Sequence, residues 1–240
     1  MAYEVVTTGD RPDLDPGAAF RDGWPEFIFH DRIAAEFTER VGNYFPQFDI
    51  LLLGDGEIVA GGWGVPIAWS GEILAGGYDA ALALSVTGHE NDTEPDTFCV
   101  MAAAVRADQR GAGLAGRVLT ALRERAVAAG LSKVIAPVRP TLKTRYPLTP
   151  MARFAEWTRE DGLHVDGWIR THQRLGATIV GPAPRSMEIA GSVAEWESWA
   201  GMRFPDSGSY VVPDALDLVV IDREADTGTY VEPNLWMRHR

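Results

Sequence analysis

Glycines placed where a strand gives way to a helix can hold an anion, and this chain has such a stretch in Val105-Arg-Ala-Asp-Gln-Arg110-Gly-Ala-Gly113-Leu-Ala115. An apolar run, Phe98 to Val105, precedes it. Leu114, Ala115, Val118, Leu119, Leu122 and Val127 follow at helical spacing, so a strand, a turn and a helix are expected in that order. The first backbone N–H groups of a helix have no partner inside it, and they point at whatever lies before its N-terminus. Gly111 and Gly113 let the backbone approach a ligand that a Cβ would hold away. The chemistry is that of a phosphate or pyrophosphate cradle.

Charge agrees with that reading. The chain has 22 Lys and Arg against 34 Asp and Glu, a net charge of -12. Between Arg106 and Arg153, however, ten basic residues face only Asp108 and Glu124. This basic island covers the glycine turn, its helix and the next strand candidate, and its field favours a polyanion. Arg139, Lys143 and Arg145 are candidates for a further phosphate of that ligand. The acidic remainder argues against nucleic-acid binding and is compatible with a cationic acceptor.

Two cofactors compete for the loop. Gly111-Ala-Gly-Leu-Ala-Gly116 spells the dinucleotide fingerprint GxGxxG. That motif needs its first glycine directly after a strand and an acidic residue closing the next one. Here Arg106 to Arg110 intervene, and the next apolar run, Lys133 to Val138, ends at Arg139. The alternative is carried by Arg110-Gly-Ala-Gly113-Leu-Ala115 with Val105 upstream. This segment resembles the acetyl-CoA loop of the GNAT superfamily of N-acetyltransferases. The resemblance implies an α/β (α+β) fold with a mixed, mostly antiparallel central sheet, helices on both faces, and strands splayed at the CoA site. It implies that Arg110, Gly111, Ala112, Gly113, Leu114 and Ala115 wrap the pyrophosphate of acetyl-CoA, with Ala103 and Val105 along the pantetheine arm.

Acetyl transfer to an amine requires a neutral nucleophile, a donor for the carbonyl oxygen, a proton for the departing thiolate, and proximity. Thr171-His-Gln-Arg-Leu-Gly-Ala177 resembles the family's Tyr-x-x-Leu-Gly-Phe segment, whose tyrosine protonates the thiolate. His172 stands at that tyrosine's place, and an imidazole can carry the same proton. Tyr146 is the substitute. Where some members have a glutamate in the fourth strand this chain has Cys99, which reads as an inert core residue. Asp96 and Asp79 are the carboxylates nearest that strand, to hold a base water or pair with an ammonium. Trp24, Phe27, Trp63 and Tyr78, with Asp79, are the candidates for the acceptor wall, the last two in a loop before the fourth strand.

Other chemistries lack their residues. There is no GxSxG elbow and no Gly-Lys-Ser/Thr after the glycines. Five scattered histidines and one cysteine have no metal-ligand spacing, so no metal is expected. No apolar run approaches the ~20 residues of a membrane span. The N-terminus lacks the basic and apolar regions of a secretory leader, and a single cysteine suits a reducing compartment, so a cytoplasmic location is expected.

The elements that must position these residues are legible in outline. Tyr3 to Val6 is a strand candidate, and Pro16 to Phe29 and Arg32 to Tyr44 read as helices. Asp49 to Leu53, Asp-Gly56 and Ile58 to Trp63 read as a hairpin. Thr87 to Pro95 and Pro137 to Pro150 are rich in breakers and read as loops. Asp166 to Leu175 is a helix, and Val219 to Asp222 and Tyr230 to Met237 are late strands. One domain over 1–240 is expected, with a core at 48–190 and an extension at 191–240 shaping the acceptor site or a homodimer contact. The expected function is acyl transfer from acetyl-CoA to a small-molecule amine. The alternative is a CoA-binding sensor or scaffold of the same fold.

Overall fold

A computed structural model describes residues 3–239, apart from the side chain of Asp22. In chain order the elements are β1 (Glu4–Thr7), α1 (Pro16–Phe20), α2 (Arg32–Tyr44), β2 (Asp49–Gly54), β3 (Glu57–Ile67), α3 (Gly77–Glu90), β4 (Thr97–Val105), α4 (Leu114–Ala128), β5 (Lys133–Val138), α5 (Met151–Phe154), α6 (Gly167–Arg174), β6 (Thr178–Gly191), α7 (Val193–Ala200), β7 (Gly208–Tyr210), β8 (Val219–Asp222) and β9 (Thr227–His239). The nine strands form one sheet in the order β1-β2-β3-β4-β5-β9-β8-β7, with β6 on the other edge of β9. Among the described residues only β4 and β5 pair in parallel; every other pair is antiparallel. This is the mixed, mostly antiparallel sheet that the resemblance implies.

The β2–β3 hairpin turns at Asp55-Gly56, where both residues take a positive φ, as a tight Asp-Gly turn demands. Asp31 and Asp166 cap α2 and α6 by accepting backbone N–H groups of the first turn, which starts each helix where the sequence places it. Helix α7 opens on a Ser192/Glu195 capping box.

Several expectations are corrected. Pro16 to Phe29 is not one helix: α1 ends at Phe20, and short 3-10 turns carry the chain through Trp24 and Phe27. Tyr78 and Asp79 do not lie in a loop but in the first turn of α3, which runs to Glu90 and so takes in the start of the breaker-rich Thr87–Pro95 segment. The last fifty residues, read as an extension, include β9, which lies in the sheet directly beside β5, Val134 facing His239 and Val138 facing Leu235.

The main core packs α2, α3, α4 and α6 on the sheet through residues such as Phe37, Leu82, Phe98, Val118, Leu122, Ile135 and Ile169. A second cluster joins Phe27 to Trp196, Phe204, Ile221 and Tyr230. The two faces of the sheet near its centre are marked by neighbouring residues of β3. A Cβ on Gly62 would strike the Val118 side chain of α4 at 2.7 Å. Trp63 points the other way, by strand alternation, and meets Tyr78 of α3 edge to face with centroids 6.2 Å apart. The glycine-loop helix and α3 therefore flank the strand pair from opposite sides.

Candidate active site

Strand β4 pairs with β3 along its length, but with β5 only through Thr97–Lys133, Phe98–Val134 and Cys99–Ile135. Beyond Cys99 the two strands part. Ala136, Pro137 and Val138 stay paired to β9, and Pro137 has no N–H to extend a ladder with. Opposite the divergence, the β3–β4 register shifts between Trp63 and Gly64, a bulge that bends the strand further. The first five residues of β4 are buried, whereas Ala102, Ala103, Ala104 and Val105 are half-exposed.

The exposed edge of β4 offers hydrogen bonds. The Arg106 N–H donates to the Val59 carbonyl at 3.0 Å. Backbone groups alternate sides along a strand, so Ala104 and Ala102 share that orientation toward β3. Ala103 and Val105 turn their N–H and C=O groups to the open side. Small alanine side chains leave room there for an extended ligand to run along the strand.

At the end of β4 the glycine loop takes over. Arg106 is fixed by Asp108 at 2.7 Å and Glu57 at 2.9 Å, which sets the loop's departure and removes that guanidinium from the candidates for a ligand phosphate. Gly111 and Gly113 have φ of 86° and 75°, and Gly113 is the N-cap of α4. An ordinary side chain at either would be strained in that left-handed region. No side chain caps α4, so its first N–H groups are left to an external acceptor. Arg110 is exposed and forms no ion pair among the described residues.

On the opposite face lies a polar assembly. Gly77, at φ 43°, opens α3 so close to β6 that a Cβ would fall 2.1 Å from the Ser186 hydroxyl oxygen. The Tyr78 N–H donates to Ser186 Oγ at 2.8 Å, and Ser186 donates to Asn234 Oδ1 at 2.6 Å. Asn234 Nδ2 donates to Glu232, which also takes the Tyr230 hydroxyl at 3.0 Å and an ion pair with Arg139 at 3.0 Å. Glu232 and Asn234 occupy the part of β9 between its β5 and β8 partners, just past the end of β5. In this way β9 fixes the start of α3, and with it Tyr78 and Asp79.

Asp79 stands beside Asp31. Burial and then the charge of Asp31 push the Asp79 carboxyl up to about 8, and burial also raises Asp31. The two carboxyls are hydrogen-bonded to each other, with Asp79 keeping the proton, and the Glu188 N–H faces both. The sequence pointed to Asp79 but not to Asp31, which serves as the N-cap of α2. Ser186, Asn234 and Glu232 were likewise missed, since each lies in an unremarkable strand and gains meaning only from its neighbours.

Four expected roles meet contrary surroundings. His172 is buried, with Nδ1 2.9 Å from His239 Nε2 and the Trp168 ring edge-on. Burial and then His239 lower its pKa to about 3, so at neutral pH it carries no acidic proton for a thiolate. Asp96 lies where β4 and β5 are still paired, the opposite end from the glycine loop, in an ion pair with Lys133. Burial raises its carboxyl, but Lys133, the Trp69 N–H and the Thr97 hydroxyl outweigh that and hold it at about 2, too weak a base for an amine. Phe27 is core, stacked on Trp196 with centroids 5.7 Å apart, not an acceptor wall. Arg139 and Lys143 are also engaged, the first with Glu232 and the second, fully buried, with the carbonyls of Tyr146 and Leu216. Tyr146, by contrast, is exposed, packed edge-on against Trp157 on the segment leaving the open end of β5. Trp24 is half-buried on its turn. The Cys99 thiol is raised by complete burial and inert.

No family model matches the chain. It is similar to arginine N-acetyltransferase avaD of Aspergillus versicolor, 28% identical over 273 aligned positions that cover 99% of this chain and 93% of that protein. Among solved structures it is similar to the loading GNATL domain of CurA from Lyngbya majuscula, with a TM-score of 0.65, 18% identity, and coverage of 100% of this chain and 98% of that one. It is also similar to the GphF GNAT-like decarboxylase in complex with isobutyryl-CoA, at a TM-score of 0.57, 17% identity and the same coverage. The parted β4 and β5, the uncapped glycine loop and the likeness to these two structures identify the fold as GNAT-like, and the relative matched over nearly the whole chain is an N-acetyltransferase.

Proposed function

We propose that this chain moves an acetyl group from acetyl-CoA directly to the amine of a small molecule. The observation that carries the reading is the early end of the β4–β5 pairing, which leaves Ala103 and Val105 with free backbone groups leading to the glycine loop. The pyrophosphate lies against the N–H groups from Gly111 to Ala115, with Arg110 free to neutralise it. The pantetheine amides pair with β4 as an added strand would. The thioester then sits where the strands meet, near Val100 and Met101.

The acceptor enters from the α3 face, past Trp63 and Tyr78. Its neutral amine nitrogen bonds to the thioester carbon, the C–S bond breaks, and the sulfur leaves as thiolate. We assign the proton for that thiolate to Tyr146, and proton removal from the amine to water at the mouth. Because the full-length relative carries the name of arginine, that amino acid heads the acceptor panel.

The test is calorimetric titration with acetyl-CoA and with NADP, beside thiol release over a panel of amines. Acetyl-CoA binding with amine-dependent release supports the reading. Binding with no release from any amine would favour the sensor. Binding of NADP in place of acetyl-CoA would overturn both.

A further inference from the structure

One row of residues crosses the sheet from the end of β1 to β4. The Thr8 N–H donates to the Asp49 carbonyl at 3.0 Å, Asp49 of β2 pairs with Trp63 of β3, and Trp63 pairs with Ala102 of β4. Residues directly opposed on antiparallel strands put their side chains on the same face. Asp49, Trp63 and Ala102 therefore share the face that α3 covers, since Trp63 meets Tyr78 there. Ala102 is where β4 has already left β5.

The Asp49 carboxyl has little use in the fold. Its own N–H closes the turn at Pro46–Phe48 and its carbonyl receives Thr8, both through the main chain. The side chain accepts a hydrogen bond from Thr8, and no other charge stands near enough to shift it. Burial raises it to about 6, so folding is less favourable with this group ionised. Asparagine or threonine would fill the position without that cost. Unlike the Asp31–Asp79 pair, Asp49 is not sealed inside: it is half-exposed, as are Trp63, Tyr78 and Ala102. A carboxylate kept at a cost to stability and left within reach of solvent is stabilised by a cation that comes from outside.

The surroundings say what kind of cation. Asp49 stands beside an indole, and a carboxylate with an aromatic ring next to it suits an ammonium or guanidinium. One step nearer the glycine loop, Gly61 opposes Leu51, and a Cβ on it would touch the Phe20 ring of α1 at 2.9 Å. Helix α1 thus bounds the row on that side and Tyr78 of α3 on the other. With strands about 4.8 Å apart, Asp49 lies about 10 Å from Ala102. That is too far to take a proton from an amine at the thioester. It suits the far end of an acceptor whose amine reaches β4.

We propose that Asp49, with the Trp63 ring beside it, binds a second cationic group of the acceptor, ammonium or guanidinium, remote from the amine that is acetylated. Resting on the acyl-transfer reading, this names the acceptor class as small molecules that carry an amine and, several bonds away, a cation. Asp49 selects and positions the acceptor; it takes no part in bond making.

The test pairs each cation with a neutral analogue in direct calorimetric binding: L-arginine against L-citrulline for a guanidinium, and cadaverine against 5-amino-1-pentanol for an ammonium. Thiol release from acetyl-CoA is followed with the same four compounds. The expected result is at least tenfold tighter binding of the cationic member in one pair or both. Asp49→Asn should bring the two members of that pair within about twofold, with acetyl-CoA affinity unchanged. Its Tm should be no lower than the parent's, because the buried charge is gone, whereas loss of a residue needed for folding would lower it. Equal affinities within both pairs, or a preference that survives Asp49→Asn, would overturn the proposal. A protein that prefers the cations through Asp49 yet neither binds acetyl-CoA nor releases thiol would keep the cation site and refute the acyl-transfer reading. One that releases thiol equally with cationic and neutral members would refute only the role of Asp49.

Discussion

His172 Nδ1 and His239 Nε2 lie 2.9 Å apart, which joins the end of α6 to the last turn of chain in β9. The contact needs one ring to donate and the other to accept, so the two cannot both be protonated. The two rings have pKa values near 3 and 4, lowered first by burial and then, for His172, by His239 and, for His239, by Arg123. Each is below the 6.5 of a free histidine, so folding releases protons. Their contribution is present above pH 6.5 and is lost as pH falls through 4 and 3. His172→Leu should move the acid-unfolding midpoint down by roughly half a pH unit, read by far-ultraviolet circular dichroism. It should change kcat less than about twofold, since a role for His172 as acid in the reaction would cost at least tenfold.

Gly113→Val places a branched side chain at a φ of 75°, over the ground where the ligand's phosphates would lie. The backbone term alone is about 1–2 kcal/mol. Acetyl-CoA affinity should fall at least tenfold, while a shift of Tm by only a few degrees shows that the fold survives. Unchanged affinity would remove the phosphates from this loop.

Glu232→Ala leaves Arg139, the Tyr230 hydroxyl and Asn234 Nδ2 without their buried acceptor. Loss of one partner from a buried ion pair costs about 3–5 kcal/mol. Urea unfolding should show a loss of that order. Because this chain of bonds fixes Tyr78, KM for the acceptor should rise in Glu232→Gln, which keeps the volume, with acetyl-CoA affinity held.

Asp96→Asn removes a pairing with Lys133 at the surface, where such pairs are worth about 0–1 kcal/mol. Turnover should stay within about twofold of the parent and Tm within a few degrees. A loss of kcat of a hundredfold would restore Asp96 as the base.

Tyr146→Phe keeps the packing against Trp157 and removes the hydroxyl. If that hydroxyl protonates the thiolate, kcat should drop by about 10²-fold with acetyl-CoA binding intact. Equal turnover would leave the proton to water.

By itself the sequence determined the glycine loop, the helix it opens, the β2–β3 hairpin and the mixed α/β character. Each is written in neighbouring residues: positive-φ glycines, Asp-Gly at a turn, apolar side chains at helical spacing. It also carried the resemblance in Arg110 to Ala115. Helix α3 was hidden because its apolar residues do not gather on one face: Ala81, Leu82 and Val86 are buried while Leu84 stands exposed on the other side, and its end runs into the breaker-rich segment from Thr87. Tertiary structure alone decided where β4 and β5 part, since a strand's pattern reports its burial but not its partner. It alone moved β9 from the end of the chain to the side of β5, buried His172 against His239, and set Asp31 against Asp79 across 48 residues of sequence. Charge and hydrogen-bonding state follow from neighbours in space, and for those residues the neighbours are distant in the chain.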